Sequence, residues 1–88
     1  MSVEAKLMEL GIQLPPPPPA VAAYEPWMRT GNLILTSGQL PWKNGELAFS
    51  GKCGAEITED QGYQAARQCA INAISQLKAA AGDLDRVR

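Results

Sequence analysis

Histidine is missing from this 88-residue sequence, and only two cysteines, Cys53 and Cys69, are present. The two are too far apart to form a Cys-x-x-Cys pair. A zinc site takes four protein ligands, or three and a water molecule, so these residues cannot form a Cys/His metal centre. We expect no metal, and we expect both cysteines to be buried free thiols in a reducing cytoplasm.

The sequence also lacks a long apolar run and an excess of charge of either sign. No stretch reaches the roughly 18 apolar residues of a transmembrane helix, and the first residues do not have the pattern of a signal peptide. The net charge is −1, without the basic excess that is typical of nucleic-acid-binding domains. These absences predict a cytoplasmic protein with no membrane contact, and they disfavour a nucleic-acid partner without excluding a local basic patch.

Large apolar side chains are scarce as well. The apolar fraction is 45%, but thirteen of these residues are alanine, and there are only two tryptophans, two tyrosines and one phenylalanine. Burying one large apolar side chain contributes about 1.5–3 kcal/mol, so this inventory predicts one domain with a thin core. We expect a further segment or a partner subunit to complete it.

The first 19 residues combine a short helix with a proline run. Ser2 is a good N-cap, Gly11 is a stop signal, and the apolar residues between them fall on one helical face: Val3, Leu7 and Leu10. Pro15–Pro19 must form polyproline II, because proline fixes φ and removes the backbone donor. The run is either a stiff spacer across the domain surface or a ligand for an SH3 or WW domain. Its position between structured segments favours the spacer.

Residues 21–49 have the pattern of β-hairpins. Leu33–Ser37 is an aliphatic run bounded by turn residues, which predicts a buried central strand after a turn at Thr30–Asn32. Asn44–Gly45 is a strong signal for a type I′ turn, so Trp42–Phe49 is predicted to form a second, small hairpin.

The clearest predicted element is a long helix in the second half of the chain. Thr58 and Gln61 have the spacing of a capping box, and Gly82 is the expected end. The predicted buried face is mostly alanine: Tyr63, Ala66, Ala70, Ala73, Ile74, Leu77 and Ala81. The predicted solvated face is polar: Gln64, Gln68, Ser75 and Lys78.

Three stretches carry a resemblance to a known family. Gly31–Pro41 joins Gly-Asn, an aliphatic run and Ser-Gly-Gln-Leu-Pro, while Gly62–Ile74 contains Ala-Arg-Gln followed by Asn72. Ala80–Val87 is similar to the family's connection into its next strand. In this order and spacing they resemble the RidA (YjgF) family of reactive-intermediate deaminases, also named endoribonuclease L-PSP.

The resemblance implies an α+β fold of the chorismate-mutase type, with a mixed sheet packed by helices on one face. Residues 1–19 would be an N-terminal helix and polyproline spacer, and residues 20–88 the N-terminal portion of a RidA-like domain that stops before the fold is complete. The implied assembly is a homotrimer with ligand clefts between subunits. The implied activity is hydrolysis of enamines and imines of 2-amino acids to 2-oxo acids and ammonia, without metal or organic cofactor.

The resemblance also assigns substrate-binding positions to Tyr24, Ser37, Gly38 and Gln39. Tyr24 could instead pack its ring on the sheet, Gln39 could satisfy backbone groups beside the site, and Ser37-Gly38 read without the family is a turn. A side chain at Gly38 would block the corner. The family's carboxylate-binding arginine and water-positioning glutamate are expected beyond Arg88, so we expect the 88-residue chain alone to be inactive.

Two other functions remain open from the sequence. One is a non-catalytic module that binds small ligands or regulates through the same trimer clefts. The other is RNA cleavage, the activity behind the older family name, which the missing histidine and basic patch disfavour. Cys69 is interpreted as a small packing residue of the helix, not as a redox group.

Overall fold

The computed structural model describes residues 2–19 and 25–88. Two helices, two β-hairpins and a 3₁₀ turn follow one another along the chain: α1 (Val3–Glu9), β1 (Trp27–Thr30), β2 (Leu33–Thr36), β3 (Trp42–Lys43), β4 (Glu46–Leu47), α2 (Glu59–Ala81) and the turn Leu84–Arg86. The predicted α+β class is confirmed. Among these residues no helix is both long and apolar enough to cross a membrane.

Both hairpins form where turn residues interrupt the apolar runs. β1 pairs antiparallel with β2, with Trp27 opposite Thr36 and Thr30 opposite Leu33. β3 pairs with β4 across Asn44–Gly45, whose φ angles are 55° and 80°. A type I′ turn needs positive φ at both central residues, so this predicted turn is confirmed. In the described part of the chain each sheet has two strands.

The prediction of a buried central strand at Leu33–Ser37 is wrong for this chain. Leu33 and Leu35 are 57% and 56% exposed, and within the described residues β2 pairs with β1 only. Successive side chains of a strand alternate between its faces. Ile34 lies on the α2 side, where it lines a cleft with Leu77. By this alternation Leu33 and Leu35 belong to the opposite face, together with Met28, which is paired with Leu35; Leu33, next to the hairpin turn, also borders the cleft.

Helix α2 begins and ends where the sequence predicts. The Thr58 hydroxyl accepts from the Gln61 amide at 3.1 Å, and the Gln61 side-chain oxygen accepts from the Thr58 amide at 2.8 Å. This reciprocal capping box satisfies two N–H groups that a helix start leaves without partners. Gly82 ends the helix with a φ of 82°, a value that glycine adopts without strain.

The predicted faces of α2 are partly wrong. Tyr63 is 69% exposed, and Ala66 and Ala70 are also exposed, whereas Ser75, assigned to the solvated face, is only 3% exposed. Within the described residues, half of the buried side chains are polar. The buried set is Ile71, Ala81 and Leu84 with Asn72, Ser75 and Gln76. The apolar core is thin, as predicted.

The proline run explains why polar side chains of α2 are buried. The Ser75 hydroxyl donates to the Pro15 carbonyl at 2.7 Å, and the Gln76 amide donates to the Pro18 carbonyl at 2.7 Å. Prolines have no N–H groups but keep their carbonyls, so a helix packed against them must supply donors. The two carbonyls are three residues apart, which is one turn of polyproline II.

Helix α1 docks against the 3₁₀ turn that follows α2. Ser2 caps it through a bond to the Ala5 amide at 3.0 Å. The Val3 amide donates to the Asp85 carboxylate at 2.7 Å, and Glu4 forms an ion pair with Lys78 at 2.8 Å. A seven-residue helix is not stable alone. These contacts therefore hold α1 in place, and the proline run carries the chain from α1 along α2.

The two cysteines are free thiols, but the prediction that both are buried is wrong. Cys53 is exposed and Cys69 is half-buried. Cys53 lies in a tight loop that forms an isolated parallel bridge with Ile57. This loop stands at the surface because the chain turns back there to begin α2.

Gly62, near the start of α2, lies against this loop, and a substitution there tests the contact. A Cβ at Gly62 would lie 2.6 Å from the Cys53 sulfur. Alanine is favoured over glycine inside a helix by about 0.5–1 kcal/mol, so in a Cys53→Ala background we expect Gly62→Ala to stabilise by about that amount. With Cys53 present the gain should be smaller, because the sulfur must rotate away. Urea denaturation of the four proteins measures the difference, and equal gains in both backgrounds would contradict the contact.

Candidate functional site

The candidate site is the corner that follows β2. Ser37 is tied to the segment before β1 by two bonds: its amide donates to the Pro26 carbonyl at 3.0 Å, and its hydroxyl donates to the Glu25 carbonyl. The Gln39 side-chain amide donates to the Ser37 carbonyl at 3.0 Å. The hydroxyl proton of Ser37 is thus engaged, while its oxygen can still accept. The corner is held rigidly by the chain's own hydrogen bonds.

Gly38, at the tip of this corner, is exposed and has space around it. Its φ is not positive, and a Cβ added there would meet no atom of the described residues within 4 Å. The described part of the chain therefore does not itself require glycine here. The backbone amides of residues 38–40 also have no acceptor within that part. Among the described residues the corner thus has unpaired N–H donors and space beside them, which suit an approaching anion.

Asn72 holds the far side of the corner. Its side-chain nitrogen donates to the carbonyls of Leu40 and Trp42, at 2.9 and 3.0 Å, and its oxygen accepts from the Gln68 side-chain amide at 3.1 Å. Asn72 is 0% exposed, so both donors and the acceptor are used inside the protein. This residue connects α2 directly to the loop that leaves the corner.

Sequence reasoning missed the role of two residues here. Gln68 was assigned to the solvated face of α2, and Asn72 was noted only as part of a family motif. The signal that could have found them is their spacing: polar residues four apart on a helix lie on one face. Such a pair on a helix otherwise rich in alanine indicates that the side chains form hydrogen bonds with backbone groups of a segment packed against the helix.

The structure describes three of the four predicted binding residues. Ser37, Gly38 and Gln39 lie together at the corner. The Gln39 side chain also donates to a backbone carbonyl there, which was the alternative role predicted for it. Tyr24 lies outside the described residues, so its ligand contact stays a prediction. No group of three His, Cys, Asp or Glu side chains in residues 2–19 and 25–88 could hold a metal ion.

Two ionisable groups of the described residues have shifted pKa values. Partial burial raises the pKa of the Cys69 thiol, so its reactive thiolate form is disfavoured at neutral pH. This agrees with the interpretation of Cys69 as a packing residue. A hydrogen bond from the Lys52 amide, at 3.0 Å, lowers the pKa of the exposed Glu56 carboxyl, which stabilises the loop that precedes α2.

A second concave surface lies between α2 and the β1–β2 hairpin. It has a volume of about 560 Å³ and brings three arginines, Arg29, Arg86 and Arg88, beside apolar side chains that include Leu77. Arg86 donates to the Ala81 carbonyl at 3.1 Å, which helps to close the end of α2. No residue of the Ser37–Gln39 corner lines this cleft, so it is a separate surface.

A family model described as "YjgF/chorismate_mutase-like, putative endoribonuclease" matches residues 4–88. The chain belongs to this family. The resemblance carried by the Ser-Gly-Gln corner and the α2 motif is thereby confirmed. Protein TCP17 of Trypanosoma cruzi is a curated relative, 41% identical over 86 residues. That alignment covers 98% of this chain and 54% of TCP17.

Two solved structures have the same fold as this chain. A "putative endoribonuclease" from Shewanella oneidensis MR-1 matches with a TM-score of 0.92 and 41% identity, over 98% of this chain and 57% of that one. A protein of unknown function from Agrobacterium tumefaciens matches with a TM-score of 0.81 and 40% identity, over 96% of this chain and 51% of that one. The chain therefore spans about half the length of these relatives, with the chorismate-mutase-like architecture in common.

Proposed function

We propose that this YjgF-family protein takes part in the hydrolytic deamination of reactive enamines and imines of 2-amino acids. Water adds to the imine carbon, the carbon–nitrogen bond breaks, and a 2-oxo acid and ammonia leave. The observation that carries the proposal is the Ser37–Gln39 corner, where Gly38 is exposed and the backbone amides of residues 38–40 have no acceptor among the described residues. A 2-imino acid carries a carboxylate, and hydrogen bonds to charged groups are stronger than neutral ones.

The corner would bind and orient the substrate without performing the proton transfers. The N–H groups of residues 38–40 can donate to the substrate carboxylate, and the Ser37 oxygen can accept from the imine or enamine nitrogen. By the family resemblance, the arginine that forms a bidentate bond with the carboxylate and the glutamate that positions water come from the family's second half. Neither is assigned to a residue of this chain.

The proposed assembly is a homotrimer with the substrate clefts between subunits. Its support is the face of the β1–β2 hairpin turned away from α2, where Met28, Leu33 and Leu35 are 59%, 57% and 56% exposed. Three large apolar side chains side by side on a small sheet are typical of a covered surface. Burial of this face would supply what the thin core lacks.

Charge on this face should prevent assembly. We expect Leu35→Lys to convert the trimer to monomers, because a lysine at a subunit interface would lose its hydration without gaining a partner. Leu47→Lys, on the other hairpin and 45% exposed, is the matched control and should leave the mass unchanged. Light scattering coupled to size-exclusion chromatography measures both. A native protein that runs as a monomer would contradict the assembly.

Activity is tested on a form of the protein that includes the family's second half, because the 88-residue chain alone is expected to be inactive. The assay measures ammonia release from 2-iminobutanoate, which a threonine dehydratase generates in the same cuvette. Gly38 makes the test specific to the corner. We expect Gly38→Val to reduce the rate at least about tenfold, equivalent to 1.4 kcal/mol, and Gly38→Ala to reduce it less. Gly38→Ala should not lower the melting temperature, because no described atom lies within 4 Å of the added Cβ, and the melting temperature of Gly38→Val is measured beside its rate. Full activity in both variants would show that substrate does not bind at this corner.

A non-catalytic binding module is the main alternative, since the same donors would hold a 2-oxo acid whether or not chemistry follows. Binding of 2-oxobutanoate that is weakened by Gly38→Val, with no ammonia release by the form that includes the family's second half, would establish it. RNA cleavage is the activity named for the Shewanella relative. It predicts cleavage of single-stranded RNA that is lost in the same variant, and intact RNA after incubation would exclude it.

A further inference from the structure

Another concave surface lies where the N-terminal segment meets α2 and the turn of the second hairpin. Its volume is about 420 Å³, which is within the usual range of ligand pockets. Three parts of the chain that are distant in sequence form its walls: residues 11–16, the hairpin residues Lys43 and Asn44, and Arg67, Gln68 and Ile71 of α2. No residue of the Ser37–Gln39 corner lines it, so it is separate from the proposed substrate site.

This surface, here called the basic cleft, has positive charge and no acid among the described residues that line it. Its cations are Lys43 and Arg67, and neither forms an ion pair within the described part of the chain. Glu46 is opposite Lys43 in the β3–β4 pair, but it is not part of the walls. Two cations in a concave surface without a carboxylate create a positive potential that attracts an anion.

Most cations that line the other clefts of the described chain already have partners. Lys78, beside the proline run, forms the ion pair with Glu4 at 2.8 Å. In the cleft between α2 and the first hairpin, Arg86 and Arg29 each donate to a backbone carbonyl. Among the described residues, the two cations of the basic cleft have no such bond. Their charge is therefore available to a ligand.

The remaining walls of the basic cleft combine apolar side chains with a few polar groups. Ile71 is only 7% exposed, and Ile12 and Leu14 are half-buried. The Gln68 side chain donates through its nitrogen, while its oxygen accepts no bond from a described residue. The Asn44 side chain likewise makes no hydrogen bond within residues 2–19 and 25–88. An apolar wall with a small number of polar groups is the usual composition of a small-molecule site.

We propose that the basic cleft binds a small organic anion, a phosphate ester or a carboxylate attached to an apolar body. The planar guanidinium of Arg67 matches the paired oxygens of either headgroup, and Lys43 supplies the second positive charge. The apolar body lies against the isoleucine and leucine side chains of the opposite wall. A ligand in this position contacts the N-terminal segment, the second hairpin and α2 together, so it stabilises the docking of that segment.

Calorimetric titration of the whole protein tests the proposal, with phenyl phosphate and 4-phenylbutanoate as the two probes. We expect saturable binding of at least one probe, weakened by 0.5 M sodium chloride because salt screens exposed charges. The tighter of the two probes identifies the headgroup. Inorganic phosphate, which has no apolar body, should bind more weakly than phenyl phosphate. The melting temperature should rise with the concentration of the bound probe, because a ligand of the folded state stabilises it.

Lys43→Gln and Arg67→Gln should each weaken binding about tenfold, the effect of losing one hydrogen bond to a charged group. Both side chains are exposed, so the melting temperature without probe should be unchanged. Arg29→Gln is the matched control, because it removes the same charge from the separate cleft. Its binding should stay within about twofold of the native value.

Three results would overturn the proposal. The first is that neither probe binds, and the second is that neutral 2-phenylethanol binds as tightly as the anions. The third is equal weakening by Arg29→Gln and Arg67→Gln, because net charge alone would then explain the binding. Gly38→Val separates this cleft from the Ser37–Gln39 corner: probe binding should persist in that variant, and its loss would place the probe at the corner. None of these readouts depends on ammonia release.

Discussion

Replacement of Asn72 by aspartate should lower the free energy of unfolding by about 3–5 kcal/mol, the range for a buried charge without a partner. The change is nearly isosteric, but it replaces two N–H donors with an oxygen. That oxygen would face the carbonyls of Leu40 and Trp42, now 2.9 and 3.0 Å from the Asn72 nitrogen. With no exposure to water, the carboxylate could not be hydrated. Domains are usually stable by only about 5–15 kcal/mol, so the loss is large.

The destabilisation should depend on pH in a defined direction. Burial and two facing carbonyl oxygens raise the pKa of the new carboxyl above its value in the unfolded chain. The folded state then binds a proton more tightly, so the stability deficit is smallest at low pH and grows as pH rises through the raised pKa. Urea denaturation of the native and variant proteins from pH 4 to 8 measures this. A difference that is constant with pH would contradict burial of residue 72.

A control variant at Gln68 distinguishes loss of the bonds between Asn72 and the loop from general damage to α2. Gln68→Ala removes the donor to the Asn72 oxygen and leaves both bonds to the loop intact. It should lower the stability by about 1 kcal/mol, the value of one such bond. Since Asn72 fixes the loop that leaves the Ser37–Gln39 corner, we also expect Asn72→Asp to lose ligand binding and Gln68→Ala to retain it.

Replacement of Gln76 by glutamate should release the N-terminal segment from α2. The glutamate oxygen would face the Pro18 carbonyl, which now accepts from Gln76 at 2.7 Å, in a position that is 1% exposed. We expect a loss of about 2–3 kcal/mol, from the lost bond and the desolvated charge. The loss is limited by the free energy that docks the segment, because undocking lets the carboxylate and the Pro18 carbonyl reach water.

Hydrogen exchange distinguishes local release from global unfolding. In Gln76→Glu the amides of α1 should exchange at the rate of unprotected peptide, since this helix is too short to persist alone. Amides in the middle of α2 should keep most of their protection. Gln76→Met, which removes the bond but adds no charge, should lose about 1 kcal/mol and keep α1 docked. Equal protection of α1 in the native protein and Gln76→Glu would show that this bond does not hold the segment.

The elements that were predicted correctly depend on local chemistry. The capping box at Thr58, the end at Gly82 and the turn at Asn44–Gly45 are determined by residues a few positions apart, and the structure has all three. The Ser-Gly-Gln corner was found because its residues are contiguous. Periodicity alone also located α2, because a helix of 23 residues repeats its pattern several times.

The elements that were predicted wrongly depend on what packs against them. Ser75 and Gln68 have the sequence pattern of a solvated face. In the structure Ser75 donates to a carbonyl of the distant proline run, and Gln68 donates to the side-chain oxygen of Asn72. Leu33–Ser37 has the pattern of a central strand, but the described chain supplies one neighbour only. Long-range partners of this kind leave no periodic signal in the sequence.

The carbonyl contacts of Pro15 and Pro18 with α2 make the orientation of the N-terminal segment depend on the number of prolines in the run. Because polyproline II repeats every three residues, one inserted proline would rotate the preceding chain by about 120° relative to α2. Ser2 and its helix would then point away from Lys78 and Asp85. Insertion of three prolines would restore the rotation but move α1 by about 9 Å along the rod. The number of prolines therefore determines whether Glu4 can reach Lys78. The length of this run in related chains should vary far less than the length of an ordinary linker.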